Sequence, residues 1–196
     1  MARVGAVVLA AGASTRLGRP KQLVPYAGEP LVRRAVRAAV DAGARPVVVV
    51  LGAHADAVAP ALDGVAGVRV VVHARWRDGL GASIAAGVRA LDGAAGAALD
   101  GVLVAVCDQP LVDAEALGAL LAAFGGPGAV VAAAYADTLG VPAVVGRDHL
   151  DALRTLAGDA GAGRWLRAHA GLVTPVALPA AALDVDTPED VARLAR

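Results

Sequence analysis

Val47-Val48-Val49-Val50-Leu51 runs through five apolar residues with no polar residue among them. A strand with one wet face alternates in polarity, so an unbroken β-branched run belongs to a strand covered on both faces. Val4 to Leu9, Val102 to Val106 and Ala129 to Ala133 have the same character, and Val68 to Val72 is interrupted only by Arg69. The stretches between them have helical period. Val32, Val36, Ala39 and Val40 fall on one face, with Arg33 and Arg37 on another, Pro30 near the start and Gly43 after the end. Leu80, Ile84, Val88 and Leu91 form a second stripe, and Leu117, Leu120, Leu121 and Phe124 a third, with Asp113 placed to cap it. Short strands alternating with helices predict an α/β fold: a doubly wound, mostly parallel sheet flanked by helices, with ligands beyond the carboxyl ends of its strands.

After Ala134 the pattern weakens. Val141 to Val145 and Leu172 to Leu178 are expected as strands, and Asp148 to Leu156 and Arg164 to His169 as short helices. The 196 residues suit one domain, and the biased stretch from Gly93 to Ala98 is too short to link two.

Eighteen basic and eighteen acidic residues cancel, which removes the long-range field of a nucleic-acid binder; an anion must be caught locally. Cys107 is the single cysteine, so no internal disulfide and no multi-cysteine metal site can form, and a reducing cytoplasm fits. Met1-Ala2-Arg3 followed by Val4 to Leu9 imitates a secretion signal with a small-x-small site at Ala11-Gly12-Ala13. Ala116 to Ala136 carries no charge, but Gly125-Gly126-Pro127-Gly128 divides it into a helix and a strand, which excludes a membrane span.

Three segments could carry chemistry. In Leu9-Ala10-Ala11-Gly12-Ala13-Ser14 the strand gives way to small residues whose N–H groups can converge on an anion, and Arg16 and Lys21 add cations suited to a polyphosphate. The spacing fits neither a P-loop nor a dinucleotide fingerprint, and a tight turn with solvated cations is the alternative. In Val106-Cys107-Asp108-Gln109-Pro110 a buried strand runs into a carboxylate, either a Mg²⁺ ligand on the ligand side of the sheet or an Asx turn before Pro110. In Asp184-Val185-Asp186-Thr187-Pro188-Glu189-Asp190, Thr187, Pro188 and Asp190 begin a helix. Asp184 and Asp186 precede it on one side of an extended segment, where a carboxylate could join Asp108 at one cation. His54, His73, His149 and His169 lack metal spacing, Cys107 reads as a core side chain, and Trp76 and Trp165 as packing anchors.

The first segment, through Leu17-Gly18 and Lys21, resembles the signature loop of the MobA-like nucleotidyltransferases, and the other two resemble that family's remaining landmarks, in order along nearly the whole chain. Within the family, Leu9-Ala10-Ala11-Gly12, Asp108-Gln109-Pro110, Gly79 to Ile84 and Gly158 to Ala162 are most similar to the molybdenum cofactor cytidylyltransferases. The resemblance implies a Rossmann-like nucleotidyltransferase fold and a cytoplasmic enzyme using CTP, Mg²⁺ and a phosphorylated pterin acceptor, with a molybdoenzyme as transient partner. It also argues against secretion, because cleavage near Ala13 would destroy the loop. It implies nucleotide contacts from Leu9, Ala10, Ala11, Gly12, Ala13, Ser14, Arg16, Lys21 and Ser83, catalytic roles for Lys21, Arg16 and Asp108, and a metal held by Asp108 and Asp186. Three positions depart from the pattern: Cys107 stands where Gly is common, Val141 replaces a polar residue, and Gly163 sits where Arg is usual, with Arg164 adjacent. These departures bear on the acceptor more than on the nucleotide.

Overall fold

The computed structural model describes residues 2–93 and 98–194, so most of the biased stretch from Gly93 to Ala98 lies outside the described residues. The strands are β1 (Val4–Ala10), β2 (Pro25–Tyr26), β3 (Glu29–Pro30), β4 (Val47–Leu51), β5 (Val68–Val72), β6 (Gly101–Val106), β7 (Val130–Tyr135), β8 (Thr138–Gly146) and β9 (Val173–Ala177). The helices are α1 (Leu31–Asp41), α2 (Ala55–Val58), α3 (Leu80–Asp92), α4 (Ala114–Ala123), α5 (Leu150–Arg154), α6 (Ala162–Ala168) and α7 (Pro188–Leu194). Seven strands form one sheet in the order β5-β4-β1-β6-β8-β7-β9, while β2 and β3 make a separate small ladder. Only β8 runs against its neighbours β6 and β7; every other pair in the large sheet is parallel. The expected mostly parallel, doubly wound sheet is therefore present.

Helices cover both faces. One apolar layer joins Val8, Val49 and Leu103 to Val32 and Val36 of α1 and to Leu117 and Leu120 of α4. The other joins Val7, Val50 and Val104 to Ile84 and Val88 of α3, Leu153 of α5 and Leu166 of α6. The layer on α3 is tight: a Cβ on Gly87 would lie 2.4 Å from Val7 Cγ1, so only glycine lets the helix sit this close. The central strands β1 and β4 are buried throughout, as their runs require. β5 is not. It forms the sheet edge, and Val70 and Val72 are exposed there.

Local signals hold where they are strong. Asp113 caps α4, its Oδ1 accepting from the Ala116 N–H at 2.9 Å, and Gly43, at φ +96°, ends α1. The uncharged stretch from Ala116 to Ala136 divides into α4, a turn and β7, and no helix among the described residues is long and apolar enough to cross a membrane. In the weaker half, β8 is longer than expected and contains Pro142. The β7–β8 register shifts there, from Ala132 opposite Ala143 to Ala133 opposite Gly140, and a bulge is where a strand tolerates proline.

Candidate active site

The strand order reverses at β1: β4 and β5 lie on one side of it, β6 and the rest on the other. Such a switch point leaves a crevice beyond the carboxyl ends, because the connections from the two strands cross opposite faces of the sheet. Here the ends of β1 and β6 open level with each other, the Cys107 N–H donating to Leu9 O at 3.1 Å. A cavity of about 600 Å³ sits there, within the range of small-molecule sites.

The loop after β1 is held from behind. Gln22 is 1% exposed, and its Nε2 donates to the carbonyls of Ala10 (2.9 Å) and Gly12 (2.8 Å). The Ala53 N–H donates to Ala11 O at 3.1 Å, and His54 Nε2 lies 3.0 Å from Ala13 O. With these carbonyls engaged on the protein side, the N–H groups of Gly12, Ala13 and Ser14 donate to no acceptor among the described residues. An anion can take them. Ser14 adopts φ 54°, and its hydroxyl accepts from the Lys21 N–H (3.0 Å) and donates to Gln22 Oε1 (3.3 Å). That hydroxyl is therefore spent on shaping the loop, and Ser14 does not line the cavity, unlike the other expected nucleotide contacts.

Opposite the loop, Lys21 Nζ donates to Asp108 Oδ2 at 2.5 Å and to Asp186 Oδ1 at 2.8 Å, and Arg16 Nη2 donates to Asp186 Oδ2 at 2.7 Å. Burial alone would lower the Lys21 ammonium, but the two carboxylates outweigh it and hold it above the usual lysine range. Asp186 reaches this point because Asp184-Val185-Asp186 is pinned at its centre. The Val185 N–H donates to Asp108 O at 2.9 Å, while its side chain is fully buried with Leu17, Val24 and Leu31. Asp184 stands beside the pair. Desolvation in the cleft raises its carboxyl to about 6, together with the like charges of Asp108 and Asp186, although part of its surface stays open to solvent.

Asp108 Oδ1 is buried and has no hydrogen-bond partner among the described residues. A buried carboxylate oxygen without a donor is costly unless a cation completes it. No three His, Cys, Asp or Glu side chains cluster as a metal site among the described residues, and the donors that converge here are the two carboxylates of Asp108 and Asp186. Mg²⁺ accepts such an arrangement, since it keeps waters and takes ligand phosphates beside one or two carboxylates. The residues present fit a divalent ion.

The family described as MobA-like NTP transferase domain matches residues 6–173. The chain belongs to that family. Across 97% of this MobA-like chain and 96% of the relative, it is 40% identical to nicotine blue oxidoreductase of Paenarthrobacter nicotinovorans. Rv0371c of Mycobacterium tuberculosis H37Rv aligns at TM-score 0.78 with 32% identity, covering 98% and 97% of the two chains. A nucleotidyl transferase from Methanothermobacter thermautotroptrophicus aligns at TM-score 0.81 with 28% identity, covering 98% and 95%. Rv0371c has also been solved as a manganese complex, aligning at TM-score 0.75 and 30% identity over 98% and 97%.

Leu9, Ala10, Ala11, Gly12, Ala13, Arg16, Lys21, Ser83, Asp108 and Asp186, each singled out in the sequence, all line the one cavity. Sequence reasoning missed Gln22 as the scaffold of the loop. Its only signal is an amide directly after the lysine, and its burial is a tertiary fact. It also read Trp76 as packing alone, whereas Trp76 lines the cavity wall with Arg77, which stacks on the indole at 4.3 Å. Asp159 enters the cavity on a loop that packs against the start of α3, where the Gly81 N–H donates to Gly158 O at 2.9 Å. Cys107, 3% exposed, sits in the cavity wall, and burial, with Asp108 beside it, pushes its thiol up, which disfavours the thiolate.

Proposed function

We propose that this MobA-like chain transfers CMP from CTP to the terminal phosphate of a molybdopterin-type cofactor and releases pyrophosphate. In this reading residues 1–196 form one domain acting in the cytoplasm, and the product passes to a molybdoenzyme through transient contact. The observation that carries it is the convergence of Lys21 and Arg16 with Asp108 and Asp186 at the mouth of a loop with free N–H groups. The choice of CTP and of a pterin phosphate rests on the resemblance of Leu9-Ala10-Ala11-Gly12 and its companion segments.

Nucleotidyl transfer asks the protein for position and charge. The loop N–H groups and Arg16 hold the triphosphate. Lys21 passes from the acids to the phosphates, where its ammonium takes up charge on the departing pyrophosphate. An acceptor phosphate oxygen bonds to the α-phosphorus, and the bond from that phosphorus to the bridging oxygen breaks, with its electron pair leaving on pyrophosphate. Mg²⁺ held by Asp108 and Asp186 would supply positive charge at the reacting phosphates. The orphaned Asp108 Oδ1 and the manganese complex of Rv0371c support a divalent ion of this kind. No covalent enzyme intermediate is needed.

A second reading has its own support: 40% identity over nearly the full chain to a protein named as an oxidoreductase. Two further alternatives keep the same loop, a transferase with another base or a sugar or alcohol phosphate acceptor, and an accessory protein that binds nucleotide without turnover. Pyrophosphate release, measured with each of the four nucleoside triphosphates, Mg²⁺ and a set of phosphate acceptors, tests them together with NADH and NADPH oxidation. The expected result is pyrophosphate release with CTP that depends on acceptor. Oxidation of a reduced nicotinamide that depends on an added two-electron acceptor dye, without pyrophosphate release, selects the oxidoreductase. Nucleotide binding that survives Asp108→Ala with no turnover anywhere selects the accessory protein.

A further inference from the structure

The two edges of the large sheet are guarded differently. β9 forms one edge and carries Pro175 at its centre, exposed and without an N–H, which blunts that edge against a further strand. β5 forms the other. Its residues, Val68-Arg69-Val70-Val71-Val72, include no proline, and their one charge is turned aside: Arg69 Nη1 donates to Ala90 O of α3 at 3.5 Å, which draws the guanidinium back over the helix.

The free backbone groups of that edge fall on alternate residues. Gly67 O accepts from the Val47 N–H, and the His73 N–H donates to Leu51 O, so the backbone groups of Arg69 and Val71 between them also serve β4. The N–H and C=O groups of Val68, Val70 and Val72 therefore point outward. Their side chains share the face of Val47 and Val49, where Val70 and Val72 are 39% and 59% exposed. Outward amides and uncovered valines coincide on one row, which is a template for another strand.

The row is its own complement. Turned about a twofold axis through Val70, a second β5 runs antiparallel and sets Val70 opposite Val70, Val68 opposite Val72 and Arg69 opposite Val71. Each opposed pair of outward residues is then of the hydrogen-bonded type, exchanging both N–H···O bonds. Valine meets valine along the whole row, and Arg69 never faces its own copy, which would destabilise the ladder. Moving the axis to Arg69 opposes two guanidiniums, and moving it to Val71 pushes Val68 past the end of the partner strand.

We propose that β5 pairs with β5 of a second copy of this chain about an axis through Val70, joining the two seven-stranded sheets into one continuous sheet. This inference goes beyond the transferase reading and does not depend on it. Sedimentation velocity of the full chain over a series of concentrations reads the assembly, and the expected species has twice the mass of one chain. Val70→Pro removes the N–H at the axis; because that N–H faces away from β4, the variant should keep its circular dichroism spectrum and sediment as a monomer. Val70→Lys, which brings two ammonium groups together at the axis, should do the same and serves if Val70→Pro does not fold. Crosslinking reads the register. Hydrogen-bonded partners stand about 5.5 Å apart between Cα atoms, within the span of a disulfide. Val70→Cys should therefore give a covalent dimer on a non-reducing gel after mild oxidation, whereas Val72→Cys, with its two copies about 14 Å apart, should not. Cys107 is buried and adds no background.

A wild type that stays monomeric at its highest soluble concentration overturns the proposal and leaves the edge to a strand of a different protein. A dimer that persists in both Val70→Pro and Val70→Lys overturns it as well, and crosslinking through Val72→Cys in place of Val70→Cys overturns the register.

Discussion

Lys21 neutralises two acids that would otherwise repel each other across the mouth of the cavity. In the proposed reaction the same ammonium would meet a triphosphate, so nucleotide and divalent ion are expected to bind cooperatively: phosphates that drew Lys21 away would leave Asp108 and Asp186 to hold the ion. Lys21→Ala is therefore expected to tighten Mn²⁺ binding to the nucleotide-free protein while raising the KM for nucleotide and slowing turnover. Electron paramagnetic resonance of free Mn²⁺ alongside steady-state kinetics reads both, and unchanged Mn²⁺ affinity would remove Lys21 from the cation position. Asp108→Asn keeps the shape and removes the charge. It should lower turnover by about 10²-fold or more with the fold intact, and a wild-type rate would end the metal role of Asp108. Asp184, which meets neither Lys21 nor Arg16 in an ion pair, should matter less than Asp186.

Helix α7 makes no catalytic contact, yet its first turn fixes the residue before it. Asp190 Oδ2 accepts from the Thr187 hydroxyl (2.8 Å) and from the N–H groups of Thr187 (2.9 Å) and Asp186 (3.1 Å). Thr187→Ala should cost about 1 kcal/mol of stability, as lost caps do, and should also slow turnover because the Asp190 carboxylate that anchors the Asp186 N–H loses its hydroxyl partner. A chemical denaturation curve and a kcat measurement check the two halves. The Thr187 hydroxyl and the two N–H groups hold the Asp190 carboxyl below the usual carboxylate range. Its contribution is thus present above the unfolded carboxylate value and lost as pH falls through the lowered folded one. Asp190→Asn should flatten that part of the acid stability profile. This capping box was legible because its partners are three residues apart, within one helical turn. The helices near Asp148 and Arg164 were legible only in outline. Their short apolar stripes lack caps, and packing against the second apolar layer sets their ends.

Across the whole molecule, the close approach of α3 to the sheet puts Ser83 and the loop carrying Asp159 over the end of β1. Gly87→Ala should cost about 1–3 kcal/mol by overpacking against Val7 and Val50, seen as a lower Tm, with the kcat of the folded fraction preserved. The sequence by itself determined the alternation of strands and helices, the burial of β1 and β4, and the three segments whose small residues, cations and carboxylates suit a polyphosphate. Those are matters of local pattern, set by side-chain period and by neighbours a few residues apart. Tertiary structure alone decided that Asp108 and Asp186 share one ammonium, that Gln22 holds the first loop from behind, that β8 reverses, and that Arg167 lies across Gly163. Each of these joins groups distant along the chain or depends on how closely two packed elements approach, and neither period nor propensity carries that information.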